Sequence, residues 1–193
     1  MNIAIVTGAS SGMGREFVRQ LGGYVSVDEI WAVARRASAL ETLKAETSVP
    51  VRPIVLDLLE ESSFTELEAL LESEKPNVRL LVNAAGFGKF GAYRKIPVED
   101  DCRMIDLNCK ALLLMTRLCV PYMQPGSHIL ELDSLSAFQP VPYITTYAAT
   151  KAFVLSYSRA MNRAESQGHP GHGHEPRLGE NGIFQPRVPD QRR

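Results

Sequence analysis

The chain opens with Asn2-Ile3-Ala4-Ile5-Val6-Thr7 and breaks at once into Gly8-Ala9-Ser10-Ser11-Gly12-Met13-Gly14. The apolar run reads as a buried strand, and the residues after the turn read as a helix at about 12–21. A strand that feeds a helix through glycines gathers unpaired backbone N–H groups and the positive helix end at one spot. Such a spot binds a pyrophosphate. The glycines have separate tasks: one permits the tight turn, one admits the phosphate close to the backbone, and one lets helix and strand approach. Their spacing, G-x-x-x-G-x-G, departs from the G-x-G-x-x-G fingerprint and so narrows the choice of fold relative.

Further along, strands are read at about 2–7, 28–34, 51–56, 78–83 and 127–133, and helices at about 12–21, 37–46, 60–73, 102–123 and 145–163. The strand segments are continuously apolar rather than alternating, as in Ile30-Trp31-Ala32-Val33-Ala34, which suits a parallel sheet covered on both faces. Right-handed crossovers then give an α/β fold with a doubly wound, Rossmann-type sheet. Its ligand belongs outside the carboxyl ends of the strands, where Gly8–Gly14 and the turn at Asn83–Gly86 meet. The 45% hydrophobic residues suffice for one core, and a formal charge of −1 gives no electrostatic reason to expect nucleic acid.

Near the end of the patterned region stand Tyr147 and Lys151, one helical turn apart, with Ser134 upstream at the close of the last apolar run. Positions i and i+4 share a helix face, so the Lys151 ammonium can lie near the Tyr147 phenol and favour its ionised form. That makes a group of unperturbed pKa about 10 useful as an acid or base near neutrality. Strand, glycine turn, serine, tyrosine and lysine in this order resemble the short-chain dehydrogenase/reductase family, over residues 1 to about 163. Other marks of the family can be matched singly. Its Asn-Asn-Ala-Gly motif stands here as Asn83-Ala84-Ala85-Gly86, with the second Asn replaced; its helix asparagine matches Asn108, and its adenine-side acid matches Asp57.

The resemblance implies an oxidoreductase that moves a hydride between a nicotinamide dinucleotide and a small carbonyl or secondary alcohol substrate. Tyr147 would be the proton donor, Ser134 would hold the substrate oxygen, Lys151 would grip the nicotinamide ribose, and Asn108 would hold a relay water. Ser136 competes with Ser134, and the family register selects Ser134. The implied cofactor site comprises Gly8, Ser10, Ser11, Gly12, Met13, Gly14, Arg35, Arg36, Asp57, Asn83, Ala84 and Gly86, together with Tyr147 and Lys151. An acid at the end of strand two would favour NAD, whereas this chain has Ala34-Arg35-Arg36. A guanidinium there can pair with a 2′-phosphate, so NADP is favoured, with NAD as the alternative. Two solvated arginines at a helix start are the bland reading of the same residues. In the family, the helices at 102–123 and 145–163 often form a dimer contact, which makes a homo-oligomer the corresponding expectation.

No apolar stretch reaches the length of a membrane span, and the first strand begins at Asn2, so a cytoplasmic protein with no membrane partner is expected. Cys102, Cys109 and Cys119 lack metal-ligand spacing and read as buried free thiols. Residues 1–163 read as the Rossmann and catalytic domain, and residues 164–193 as a Gly/Pro/His-rich tail expected to be disordered. Its His169, His172 and His174 have no carboxylate or cysteine pattern to complete a metal site. Permitted codons for His172 to Leu178, advanced by one nucleotide, read Thr-Ala-Met-Asn-Pro-Gly-Trp; Gly168 to Gly171 treated likewise give Gly-Ile-Arg-Val. These resemble the family's next strand and its Pro-Gly turn, which suggests a shifted reading frame near Arg163 to Gln167 and a chain without the family's last two strands. The alternative function is then a non-enzymatic dinucleotide-binding fragment or pseudo-enzyme.

Overall fold

The computed structural model describes residues 1–166; the helix read at 145–163 runs on to Ser166, so residues 164–166 belong to it rather than to the tail, and the rest of the histidine-bearing tail, with the frame-shift reading that rests on it, lies outside the described residues. Five strands, β1 (Asn2–Thr7), β2 (Glu29–Ala34), β3 (Val51–Val55), β4 (Asn77–Asn83) and β5 (His128–Glu131), form one parallel sheet in the order β3-β2-β1-β4-β5. The chain winds outward from β1 to β3 and then returns to lay β4 on the other side of β1. This is the doubly wound Rossmann arrangement, with its switch point between β1 and β4. Register is set by apolar pairs, with Ile5 opposite both Trp31 and Leu81 and Val6 opposite both Ala32 and Val82.

Continuous apolar strands have a simple cause here: both sheet faces are covered. On one face Ile3, Ile5, Trp31 and Val33 pack with Leu67 and Leu71 of helix α3 (Glu61–Glu74) and Met115 and Cys119 of α5 (Leu112–Cys119). On the other, Ala4, Val6, Ile30 and Ala32 pack with Val18 of α1 (Gly12–Gln20) and with Leu40 and Leu43 of α2 (Ala37–Leu43). Each large side chain fully removed from water contributes about 1.5–3 kcal/mol before entropy is counted. The long helix α6 (Thr145–Ser166) lies against α4 (Val98–Ile105) and against the 3₁₀ turn Leu135–Phe138 that follows Ser134.

Four sequence expectations need correction. The helix read at 102–123 starts earlier, at Val98, where the Pro97 carbonyl accepts the N–H groups of Asp100 and Asp101. Three acids in its first turn suit the positive helix end. The same helix is not uniform: a π-helical turn, Asp106–Ala111, joins α4 to α5, and a 3₁₀ turn, Val120–Tyr122, ends it. Strand β5 stops at Glu131, because its ladder with β4 ends at the Asn83–Glu131 pair and the chain then turns, the Asp133 carboxylate accepting the Ser134 N–H at 2.8 Å. Helix α2 ends at Leu43 because the next three N–H groups close tighter i→i−3 bonds. Of the three free cysteines only Cys119 is buried; Cys109 is partly covered and Cys102 is exposed. No helix among the described residues is long and apolar enough to cross a membrane.

Candidate active site

The three glycines divide their tasks by contact. Gly8 has φ +66°, and a Cβ there would lie 2.9 Å from the Ala84 oxygen and from the Ala85 nitrogen, so the turn passes hard against the end of β4. A Cβ on Gly14 would lie 2.5 Å from the Gly8 oxygen, so only glycine lets α1 seat on β1. Gly12 has φ +56° and no described residue within 4 Å of where its Cβ would be, which leaves open space over the start of α1 among the described residues. Ser11, the N-cap of α1, makes no capping bond with its side chain. A cradle that Cβ atoms would fill, at the positive end of a helix, fits a pyrophosphate.

The turn opens into a cleft of about 370 Å³. It is lined by Gly8, Ser10, Ser11, Gly12, Met13, Gly14, Arg35, Arg36, Asp57, Ala84 and Gly86, all anticipated from the sequence, and also by Val33, Ala34, Leu56, Leu58, Ala85 and Leu107. The Arg36 guanidinium donates to the Ser10 hydroxyl at 3.2 and 3.3 Å and to the Ser10 carbonyl at 3.0 Å. Arg35 stands 3.7 Å from the Asp57 carboxylate across the cleft, and both arginines are exposed. Tyr147 and Lys151, also anticipated at the cofactor site, do not line this cleft, and neither does Asn83. The Asn83 amide donates instead to Thr116 at 3.1 Å and to Glu131 at 3.3 Å, inside the sheet edge.

Tyr147 and Lys151 share one face of α6, with the Lys151 ammonium 5.8 Å from the centre of the Tyr147 ring. Lys151 is buried, and its ammonium donates to the Leu132 carbonyl at 2.6 Å. Burial lowers its pKa, opposed by the charges of Asp133, Cys109 and Glu131. The Tyr147 ring lies against Gly88, where a Cβ would come within 2.9 Å of the ring edge. Ser134 accepts at its hydroxyl oxygen from the Ser136 N–H at 3.3 Å and the Ser136 hydroxyl at 3.0 Å. The competing serine is therefore a donor to Ser134. Asn108 sits buried in the π-helical turn; its amide donates to the Phe87 carbonyl at 2.9 Å and to the Thr150 hydroxyl at 3.0 Å, and its oxygen accepts the Phe87 N–H at 3.0 Å.

Several residues escape a sequence reading. The Thr7 hydroxyl accepts the N–H groups of Ala84 and Ala85, each at 3.0 Å, and so pins the turn after β4 to the end of β1. A lone hydroxyl closing an apolar run is the only local signal for it. Gly88 under Tyr147, Thr150 beside Asn108 and Glu131 beside Asn83 carry no local signal, because their partners come from distant segments. No group of three or more His, Cys, Asp or Glu side chains placed to hold a metal occurs among the described residues; His169, His172 and His174 lie outside them.

Comparison with known proteins agrees with this geometry. A family model described as short chain dehydrogenase matches residues 2–169. The chain is 36% identical over 164 residues to the NADP-dependent 3-hydroxy acid dehydrogenase YdfG of Escherichia coli (strain K12), covering 81% of this chain and 63% of that protein. It is 27% identical over 163 residues to an uncharacterized oxidoreductase of Staphylococcus epidermidis, covering 83% of this chain and 70% of the relative. Among solved structures, a short-chain dehydrogenase from Sphingobium yanoikuyae in complex with NADPH superposes with a TM-score of 0.76 at 27% identity, over 86% of this chain and 67% of that one. The chain thus spans about two thirds of the length of the proteins it matches.

Proposed function

The chain belongs to the short-chain dehydrogenase family, and from that premise we propose that it exchanges a hydride between NADP(H) and a small carbonyl compound or secondary alcohol. The observation that carries this reading is Tyr147 and a buried Lys151 on one face of α6, in a chain whose glycine-turn cleft is lined by Arg35 and Arg36. When bound, the dinucleotide supplies or accepts the hydride. The glycine turn takes its pyrophosphate, and Arg35 and Arg36 take the 2′-phosphate, for which a guanidinium is a bidentate partner. The YdfG relative is named as NADP-dependent, and the Sphingobium structure holds NADPH, which favours the same cofactor.

In the reducing direction Tyr147 gives its phenolic proton to the carbonyl oxygen. Ser134 holds that oxygen: both of its contacts with Ser136 use it as acceptor, so its own hydroxyl proton is free to point at the substrate. Lys151 is steadied by the Leu132 carbonyl and presents its charge to Tyr147 and the ribose. Asn108 keeps Gly88 beneath the tyrosine ring by clasping Phe87, and retains one lone pair of its oxygen for a relay water. The outer face of α4 and α6, where Ile105 and Phe153 are exposed, is the surface we assign to a second copy.

The test is direct. Purified protein is titrated with NADPH and NADH by cofactor fluorescence, and NADPH oxidation is followed with a panel of ketones and 3-oxo acids. Tight NADPH binding with turnover of at least one carbonyl is expected. Binding without turnover would support the dinucleotide-binding fragment instead, and absence of binding would refute the assignment of the cleft.

A further inference from the structure

Glu131, the last residue of β5, is a carboxyl that the mechanism above does not use. One oxygen, Oε1, lies 3.0 Å from the Thr116 hydroxyl and 3.3 Å from the Asn83 amide nitrogen. Thr116 has a single proton and also lies 2.8 Å from the Leu112 carbonyl, so it cannot serve both acceptors at once. The other oxygen, Oε2, is sealed from solvent without a hydrogen-bond partner among the described residues, and the same holds for the Asn83 oxygen Oδ1. Two neighbouring residues that already share one hydrogen bond therefore each keep a buried acceptor with no donor. Native structures rarely leave such groups unpaired.

One proton resolves both. Placed on Oε2, it turns an acceptor into a donor, and the natural recipient is Asn83 Oδ1. The side-chain amide and the carboxylic acid then face each other through two bonds, Asn83 Nδ2–H to Oε1 and Oε2–H to Oδ1. We propose that Glu131 is a neutral acid in the working protein, that it closes this two-bond ring with Asn83, and that the ring positions the Asn83–Gly86 turn at the cleft. The second half rests on the reading of the cleft as a dinucleotide site; the first does not.

The surroundings favour the neutral form. The groups facing Glu131 are Lys151 and Tyr157 from α6 and Cys119 from α5. Lys151 is committed to the Leu132 carbonyl, and no ion pair with Glu131 is formed among the described residues. Burial pushes the Glu131 carboxyl up to about 7, while Thr116, Asn83 and Lys151 pull it down. Glu131 is thus a positioning residue, acting through Asn83 rather than on substrate.

The decisive experiment is a ¹³C NMR titration of glutamate side-chain carboxyls in the cofactor-free protein, with Glu131→Gln assigning the resonance. Glu131 is expected to remain protonated through pH 6 and to titrate well above exposed glutamates, which change near about 4.3. A Glu131 that titrates with the exposed set overturns the proposal. NADPH affinity at pH 6 and pH 8.5 then tests the positioning role. The wild type should weaken at least about 5-fold on going to the higher pH. Glu131→Gln, whose amide donates to Asn83 at every pH, should keep the pH 6 affinity at both, and Glu131→Leu should be weak at both. A glutamine variant as weak as the leucine variant would overturn the ring. If no form binds NADPH, the cofactor reading fails and so does the positioning half, while the titration still decides the proton.

Discussion

Replacing Gly14 by alanine places one methyl group where the structure has no room for it. The new Cβ would stand 2.5 Å from the Gly8 oxygen, 2.7 Å from the Gly8 carbonyl carbon and 2.9 Å from the Thr7 oxygen, all of them backbone atoms. None can swing away as a flexible side chain would. Helix α1 must therefore retreat from β1 by at least about 0.5 Å, at a seam where interiors are close-packed. Overpacking of this kind costs about 1–3 kcal/mol. We place Gly14→Ala at the upper end, about 3 kcal/mol, because the obstructing atoms belong to the very turn that α1 follows. Gly12→Ala is the control: its Cβ meets no described residue within 4 Å, and the cost is only that of a left-handed alanine, about 1–2 kcal/mol. Urea unfolding of the two variants and the wild type, with the m-value monitored, measures both costs. NADPH affinity should fall in Gly14→Ala by more than in any variant that merely destabilises. If Gly14→Ala unfolds within about 0.5 kcal/mol of the wild type, outside the range that overpacking gives, the claimed helix–strand contact is wrong.

Tyr147→Phe should lower kcat by about 10²–10⁴-fold while leaving the cofactor Kd nearly unchanged, since only the proton donor is lost; near-normal turnover would remove Tyr147 from its role. Arg35→Ala combined with Arg36→Ala should weaken NADPH by about 10–100-fold, the worth of a charge-assisted pair, with little effect on NADH; equal losses for both cofactors would show that the arginines do not read the 2′-phosphate. Asn108→Ala removes bonds to Phe87 and Thr150 and should cost about 2–3 kcal/mol in chemical denaturation, with kcat falling further than stability alone explains. Glu131 has a raised folded pKa, so its contribution to stability is full below the unfolded value and is lost as pH rises through the folded one. The rise from 4.5 to about 7 corresponds to about 3 kcal/mol lost over that window, and Glu131→Gln should flatten the wild-type decline of stability with pH; parallel profiles would contradict the buried acid.

The sheet was legible because its cause is local. Runs such as Ile30 to Ala34 are apolar at every position since both faces are covered, and a glycine turn after the first run has few other uses. The cleft that we propose for the cofactor opens over that same turn. Tyr147 and Lys151 are readable from helical spacing only in company with the glycine turn and Ser134, since an i, i+4 pair alone fits any solvated helix face. By contrast, nothing between Asp106 and Ala111 asks locally for a π-helical turn; the partners of Asn108, namely Phe87 and Thr150, lie on other elements. Glu131 interrupts the run Ile129-Leu130-Glu131-Leu132, and nothing beside it in sequence points to its partners, Asn83 and Thr116 on β4 and α5. The true start of α4 does have a local signature in Pro97 and the three acids after it.

The segment from Asn83 to Gly88 shows why these illegible contacts matter most. It leaves the sheet after β4, so its backbone groups lose their ladder partners while the cleft still needs them at a fixed height. Side chains from elsewhere replace the ladder. Thr7 at the end of β1 takes the N–H groups of Ala84 and Ala85, Asn108 in the π-helical turn takes both the N–H and the carbonyl of Phe87, and Thr116 and Glu131 hold the side chain of Asn83. The first tie fixes the turn against Gly8 and so against the phosphate cradle. The second fixes Gly88 under the ring of Tyr147. One turn is therefore the common support of the proposed cofactor end and the proposed catalytic end, and a change at either tie is transmitted to both. A defect at Asn108 that altered turnover would consequently also move cofactor affinity, whereas a defect confined to Tyr147 would not, since that hydroxyl makes no bond to the turn.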